Sequence, residues 1–517
     1  MGDEVSPELR AAYERCWTGF LTTFLGWTPE RVRAWIEARE EDLSGRDSRS
    51  LSYHRDALHY VIPMIARPAW CGALDTPAYY RLEGEITAAI QMTEAVRRGV
   101  PKPHPEERPD YDWEAAKHRV GPVLSQYDRN AERIVADIRA QQSGWLDALR
   151  RLVEHESPSR DKPALDALAC ILAGRLEAIG GRVEVVANPD GGDHLIARFD
   201  GGHGGAEERP TLVVGHFDTV WPAGTLASMP FRVEGDRAFG PGVYDMKASL
   251  VQVEFALRAI RAAGLTPGRP VEVLLTSDEE IGSPTSRPLI EERARAASHV
   301  LVIEPPLANG ALKTARKGVG AYRVTVEGRA AHAGVEPEKG ISAIDELARI
   351  TLALHALTDL AAGASVNVGV VAGGTTANVV AASASARVDV RAVTVAQAEA
   401  LDAAIRALRP HHPDARLTIT GGINRPPMER TPGGVGLFER ARLVGQALGL
   451  DLGEGSTGGG SDGNFTAALG VPTLDGLGIE GAGAHATHEQ VDLASFPARA
   501  ALLAGLLLEP GPDRSDS

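Results

Sequence analysis

From about residue 112 onward, short apolar runs alternate with amphipathic stretches, and this alternation predicts the architecture. Residues 113–154 and Pro163–Ile179 carry apolar side chains at helical spacing; the first is interrupted near Gly121-Pro122, the second is closed by Gly180-Gly181. Arg182–Ala187, His194–Phe199, Thr211–Val214, Val271–Thr276 and Val300–Ile303 read as strands, with helices over Leu250–Ala263 and Ser286–Ala297 between them. Strands alternating with helices predict a doubly wound α/β sheet, whose sites lie at the carboxyl ends of strands. Between residues 319 and 427 the order becomes strand (Tyr322–Glu327), helix (Ile341–Leu360), strands (Ser365–Val371, Ala384–Val393), helix (Val395–Leu408) and strand (Leu417–Thr420). That βαββαβ order describes an inserted, ferredoxin-like α+β domain. Helix, strand and helix return over 428–510, as the second part of a catalytic domain begun at 121–318.

Residues 1–120 differ in character, with Trp17, Trp27, Trp35, Trp70 and Trp113 among helix-like stretches such as Pro29–Leu43 and Tyr79–Arg98. The proline-rich Val100–Tyr111 reads as a linker or strap, and 511–517 as a disordered tail. No chemistry can be assigned to this helical N-terminal region; recruiting a protein partner or covering a cleft are its candidate roles.

Composition narrows the function classes. A net charge of -15 without a Lys/Arg cluster argues against nucleic acid and anionic membranes as partners. No apolar run is long enough to span a bilayer, and Met1–Val5 lacks a basic n-region, so a cytoplasmic protein is expected. Cys16, Cys71 and Cys170 are isolated and read as buried thiols.

Candidate chemistry collects around Gly215–Ser249. His216-x-Asp218 follows an apolar strand, which sets both side chains on one face. Asp245 adds a carboxylate on the Gly-lined turn GPGVYDMK, Glu279 and Glu280 follow a second strand, and Glu304 a third. His485 lies in GAGAHATHE beyond a further strand. A run such as Asp278-Glu279-Glu280 is usually a solvated surface; its placement in step with the other strand ends turns it into a site candidate. Two imidazoles with three carboxylates suit two divalent ions, zinc being favoured, with cobalt or manganese as alternatives. A further, non-ligating carboxylate could move a proton from water to a leaving amine, which describes metal-assisted hydrolysis of an amide-like bond.

The segments GHFDTV, PFRVEGDRAFGPGVYDMK, TSDEEIGS, IEPP, GRAAHAG, NVVAASASARVDVR, GGGSDGNF and GAHATHE, in this order and separation, resemble the two-zinc aminoacylase/carboxypeptidase family, and within it glutamate carboxypeptidases of the G type. The resemblance covers about residues 125–508. It implies that His216 and Glu304 hold one zinc, Glu280 and His485 the other, and that Asp245 bridges them. It also implies that Asp218 orients His216 and that Glu279 is the general base and acid. The insert would be a lid and homodimer interface, with His332 reaching a neighbouring active site to stabilise the oxyanion, Asn378 assisting, and Arg391 binding the substrate's free carboxylate. From the residues alone, His332 is a surface histidine and Arg391 the partner of Asp389 in a strand-edge salt bridge.

Several positions depart from the family pattern. Met246-Lys247-Ala248-Ser249 replaces a residue followed by Lys-Gly-Gly, and Ala381 stands where a proline is usual. The loop after Glu304 (Pro305–Lys317) differs from that of the glutamate-specific enzymes, with no lysine aligning cleanly with the one expected near substrate. Lys313, Arg316 and Lys317 are its possible substitutes, and His488 competes with His485 as ligand. The reading is a carboxypeptidase releasing a C-terminal residue such as glutamate from a small peptide or N-acyl amino acid. An N-acyl-amino-acid deacylase of the acetylornithine or succinyl-diaminopimelate type is the alternative. A non-catalytic partner-binding protein is the third possibility; loss of Glu279 or a ligand would mark it, and none is lost.

Overall fold

The computed structural model describes residues 132–201 and 209–508. The tryptophan-rich stretches, the proline-rich linker, Cys16, Cys71 and the tail all lie outside the described residues. Residues 132–140 are helical and lead into α1 (Gln142–Glu154), whose Trp145 stacks on Phe496 with ring centroids 4.2 Å apart. In α2 (Lys162–Ala178), Asp161 caps the N-terminus by accepting from the Ala164 N–H. Leu165, Leu168, Ala169, Leu172 and Leu176 form its buried stripe. Cys170 falls off that stripe and is exposed, which corrects the expectation of a buried thiol.

The central sheet contains β1 (Arg182–Val186), β2 (His194–Phe199), β3 (Thr211–His216), β6 (Val271–Thr276), β7 (His299–Val302) and β14 (Thr473–Leu474), in the order β1-β2-β6-β3-β7-β14. Strands β6, β3, β7 and β14 run parallel, whereas β2 is antiparallel to both β1 and β6, so the sheet is mixed. Every residue of β3 and β6 is buried, Glu272 included, as a mainly apolar strand covered on both faces requires. Helices α3 (Ala248–Ala262) and α4 (Arg287–Ala296) connect the parallel strands. The pattern missed a short hairpin, β4 (Arg232–Glu234) with β5 (Arg237–Phe239), because three-residue strands leave too little periodicity to read. It also missed β8 (Leu312–Arg316).

The insert runs from β9 (Gly318–Glu327) through α5 (Ala343–His355), β10 (Ser365–Gly373), β11 (Ser383–Ala392) and α6 (Val395–Arg406) to β12 (Arg416–Arg425). Its sheet order is β10-β11-β9-β12, all antiparallel, over its own core of Val324, Val326, Leu347, Ile350 and Val390. Helix α5 is shorter than the expected Ile341–Leu360 at both ends: Ser342 caps its start, accepting from the Asp345 N–H, and it stops at His355, five residues early. The chain then returns through α7 (Pro432–Ala447), β13 (Glu454–Thr457, parallel to β8), α8 (Gly463–Ala468), β14, the short pair β15 (Gly481–Ala482) and β16 (Gln490–Asp492), and α9 (Phe496–Leu508). Among the described residues, no helix is long and apolar enough to cross a membrane.

A candidate metal centre at the strand ends

The ends of three neighbouring parallel strands deliver the first side chains. His216 is the last residue of β3, Glu279 and Glu280 form a turn after β6, and Glu304 follows β7. Asp245 arrives from the turn leading into α3, and His485 from the loop between β15 and β16. His485 holds a φ of 61°, an uncommon value for a non-glycine residue, next to Gly483 at 82°.

Asp245 sits between the two imidazoles. One oxygen lies 3.2 Å from His216 Nε2, and the other 3.4 Å from His485 Nε2. His216 Nε2 is also 3.5 Å from Glu304 Oε1, and His485 Nε2 is 3.1 Å from Glu280 Oε2. Two sets of one imidazole and two carboxylates thus share Asp245. His216 has its Nδ1 3.1 Å from the Asp218 carbonyl and 3.3 Å from the Asp218 carboxylate. Those acceptors assign the proton to Nδ1 and leave Nε2 to face Asp245 and Glu304. The buried Asp218 carboxylate also accepts the N–H groups of Glu279 at 3.1 Å and Glu280 at 3.2 Å, tying the two strand ends together. Among the described residues, no hydrogen bond or ion pair joins His488 to these carboxylates, whereas His485 pairs with Asp245 and Glu280.

The electrostatics describe a cluster short of positive charge. Burial opposes a charge on His216, yet Asp218, Asp245 and Glu304 hold its pKa well above the ordinary value. Asp245 and Glu280 hold His485 up at about 10. Burial pushes Glu280 up to about 7, and it raises Glu279 strongly against the pull of Arg425. Among the described residues, the charges facing this concentration of acids are imidazolium protons, the guanidinium groups of Arg316 and Arg425, and the Lys313 ammonium. Divalent cations fit that donor set: mixed imidazole and carboxylate, converging, and starved of cation.

Glu489 shapes the site from behind. Its buried carboxylate accepts the N–H groups of Gly242 (2.9 Å), Tyr244 (2.9 Å) and Asp245 (3.0 Å), and Trp221 Nε1 at 2.8 Å. It therefore fixes the turn that presents Asp245. In the sequence this glutamate stands only as the last residue of the GAHATHE segment. Arg425, which pairs with Glu279, and Asp462, which pairs with Arg425, were missed: an Arg before two prolines reads as a turn residue.

The insert residues are placed differently. His332 and Asn378 are exposed on adjoining loops, where the Ala333 N–H donates to the Asn378 carbonyl at 3.0 Å. Arg391, on β11, forms two 2.9 Å bonds to Asp389 and a third of 3.1 Å to the Gly458 carbonyl. Among the described residues, no hydrogen bond or ion pair joins these three to the carboxylate cluster.

The profile of peptidase family M20/M25/M40 matches residues 212–509, a span that contains every residue of the cluster. This chain belongs to that family. It is 32% identical over 383 residues to Carboxypeptidase G2 of a Pseudomonas species, covering 72% of this chain and 90% of that one. It is 30% identical over 356 residues to a succinyl-diaminopimelate desuccinylase of Paracidovorax citrulli, covering 63% and 87%. Its fold matches aminopeptidase PepT of Bacillus cereus with a TM-score of 0.61 at 23% identity, covering 71% and 98%. As a member of the M20/M25/M40 family, the chain is a metal-dependent hydrolase.

Proposed function

We propose that this M20/M25/M40 hydrolase is a two-zinc carboxypeptidase that releases a C-terminal amino acid, with glutamate as the leading candidate, from a small peptide or N-acyl amino acid. The observation that carries the reading is the division of Asp245 between two imidazole–carboxylate sets. In this reading His216 and Glu304 hold one ion, His485 and Glu280 the other, and Asp245 both. When bound, the ions polarise the scissile carbonyl and activate a water.

The remaining work belongs to the chain itself. Glu279 has an oxygen within 4.8 Å of ligand atoms of both His216 and Glu304. From there it accepts a proton from the attacking water and returns it to the leaving nitrogen. Its raised pKa suits both halves of that exchange.

Lys313, Arg316 and Lys317 are the alternatives for binding an acidic side chain. Arg316 is committed to Asp475 through bonds of 2.7 and 2.8 Å, and Lys317 donates to the Gly363 carbonyl at 2.6 Å. Lys313 is 7% exposed and its ammonium has no hydrogen-bond partner among the described residues, so it is our choice.

The insert serves as lid and homodimer interface, with His332 and Asn378 contributing to a neighbouring site and Arg391 receiving the α-carboxylate. Edge strand β10 exposes Val370 (51%) and Val371 (61%), and α5 exposes Leu352 (74%), an apolar surface suited to a second copy. We also assign the enzyme to the cytoplasm, where the exposed thiol of Cys170 stays reduced.

An N-acyl-amino-acid deacylase is the second reading, supported by the likeness to the desuccinylase. A panel of N-acyl-glutamates and dipeptides against N-acetyl and N-succinyl amino acids separates the two. Failure to release glutamate from any member would sink the first choice.

A further inference from the structure

The GGGSDGNF segment matched the family pattern, yet none of its residues holds a place in the metal chemistry. Its contacts supply one. Asp462 accepts from Arg425 Nη1 at 2.9 Å and from Thr276 Oγ1 at 3.1 Å, and it also accepts from Ser283 Oγ. Arg425 is only 5% exposed and is the last residue of β12, where the insert rejoins the catalytic part. Its Nη2 donates to the Glu279 carbonyl at 2.9 Å and to Ser283 Oγ at 3.0 Å, and lies 2.9 Å from Glu279 Oε1. The ring of Phe465 lies under the guanidinium, 4.9 Å from its centroid.

Asn464 completes the arrangement. The Ser461 N–H donates to Asn464 Oδ1 at 2.9 Å, which orients the amide. Nδ2 then donates to the carbonyls of Lys317 (3.2 Å) and Pro426 (2.7 Å), the residues flanking the entry to β9 and the exit from β12. The start of α8 and the two residues before it therefore pin both chain crossings of the insert and hold the arginine that grips Glu279.

We propose that Arg425 is a positioning residue: anchored by Asp462, Ser283 and Phe465, it fixes the Glu279 carboxylate in the orientation that proton transfer needs, so that the insert's exit strand governs the base. A fixed carboxylate matters because small misplacements of a reacting group are costly; a displacement of ~1 Å lowers rates about 100-fold. The guanidinium fork suits this role, since it bonds carbonyl, hydroxyl and carboxylate at once, which an ammonium cannot reproduce.

The proposal rests on Glu279 being the base, so its test carries that control. Arg425→Ala, Arg425→Lys and Glu279→Gln are each loaded with zinc, checked for metal content, and assayed on a glutamate-releasing substrate with and without added guanidinium. Arg425→Ala should lose about 100-fold in kcat with KM changed less than about threefold. Guanidinium should restore part of that kcat, and Arg425→Lys should fall between. A rise in KM at unchanged kcat would make Arg425 a substrate anchor and overturn the proposal. Loss of zinc, or absence of guanidinium rescue in a zinc-replete variant, would overturn it as well. Retained turnover in Glu279→Gln would instead remove the base itself, a separate failure.

Discussion

The metal cluster and the face of the insert differ in how their side chains are held. His216, Asp218 and Glu489 are buried and grip one another or the backbone around Asp245, so their geometry exists before any ligand arrives. His332 and Asn378 stand exposed, and Arg391 bonds to its own neighbours. The first region is preorganised on rigid strand ends, where fixed dipoles and charges act without rearrangement. Under the proposed function, the second would exchange its present partners for substrate, so that chemistry would be built into the sheet and selection left to the insert.

The contrast is sharpest at Asp245 and Glu279. Asp245→Ala should lose metal and activity together, whereas Glu279→Gln should keep its metal and lose roughly 10²- to 10⁴-fold in kcat. Elemental analysis beside steady-state kinetics reads both, and wild-type zinc in Asp245→Ala would end the bridging assignment. Glu489→Gln tests whether the support behind the cluster matters. It should weaken metal binding by about 10- to 100-fold while leaving secondary structure intact.

On the insert, Arg391→Ala should leave metal content untouched and lower kcat/KM by roughly 10- to 100-fold for substrates with a free carboxylate, the range expected for a charged hydrogen bond. An equal loss on a carboxamide analogue would show that Arg391 does not read the carboxylate. His332→Ala subunits mixed with Glu279→Ala subunits should regain partial activity if the two act across a dimer; verified mixed dimers without recovery would count against it.

The smallest effect is a proton count. Without metal, His485 is held near 10 and His216 well above its ordinary value, so both keep their protons at pH 7. These charged contacts stabilise the metal-free fold fully below the ordinary histidine pKa of 6.5, and His485's share is lost as pH climbs through about 10. Metal must displace those protons, so its affinity should rise with pH, and binding at pH 7 should release about two from the imidazoles and a further fraction from Glu280. Titration calorimetry in buffers of different ionisation enthalpy measures this, and heats independent of buffer would contradict it.

Particular residues show how far the sequence could be read. Val271–Thr276 and His194–Phe199 were legible to the residue because buried strands are written as short, mostly apolar runs, interrupted here only by Glu272 and Thr276 in one and by His194 and Arg198 in the other. The metal cluster was legible because each of its carboxylates follows such a run or a glycine-lined turn. The antiparallel pairing of β2 against β6 was not, since pairing direction depends on partners far away in the chain. Nor was Arg425, whose role comes from four contacts spread over Glu279, Ser283, Asp462 and Phe465. No local pattern marks a side chain whose importance lies in what converges on it.

Glu489 holds the Asp245 turn across 244 residues of sequence. During synthesis, His216, Asp245, Glu280 and Glu304 leave the ribosome long before this carboxylate does. Until the segment carrying His485 and Glu489 has emerged and folded back, the Asp245 turn lacks the acceptor for three of its N–H groups. The growing chain is thereby kept from completing the candidate metal cluster while most of it is still being made.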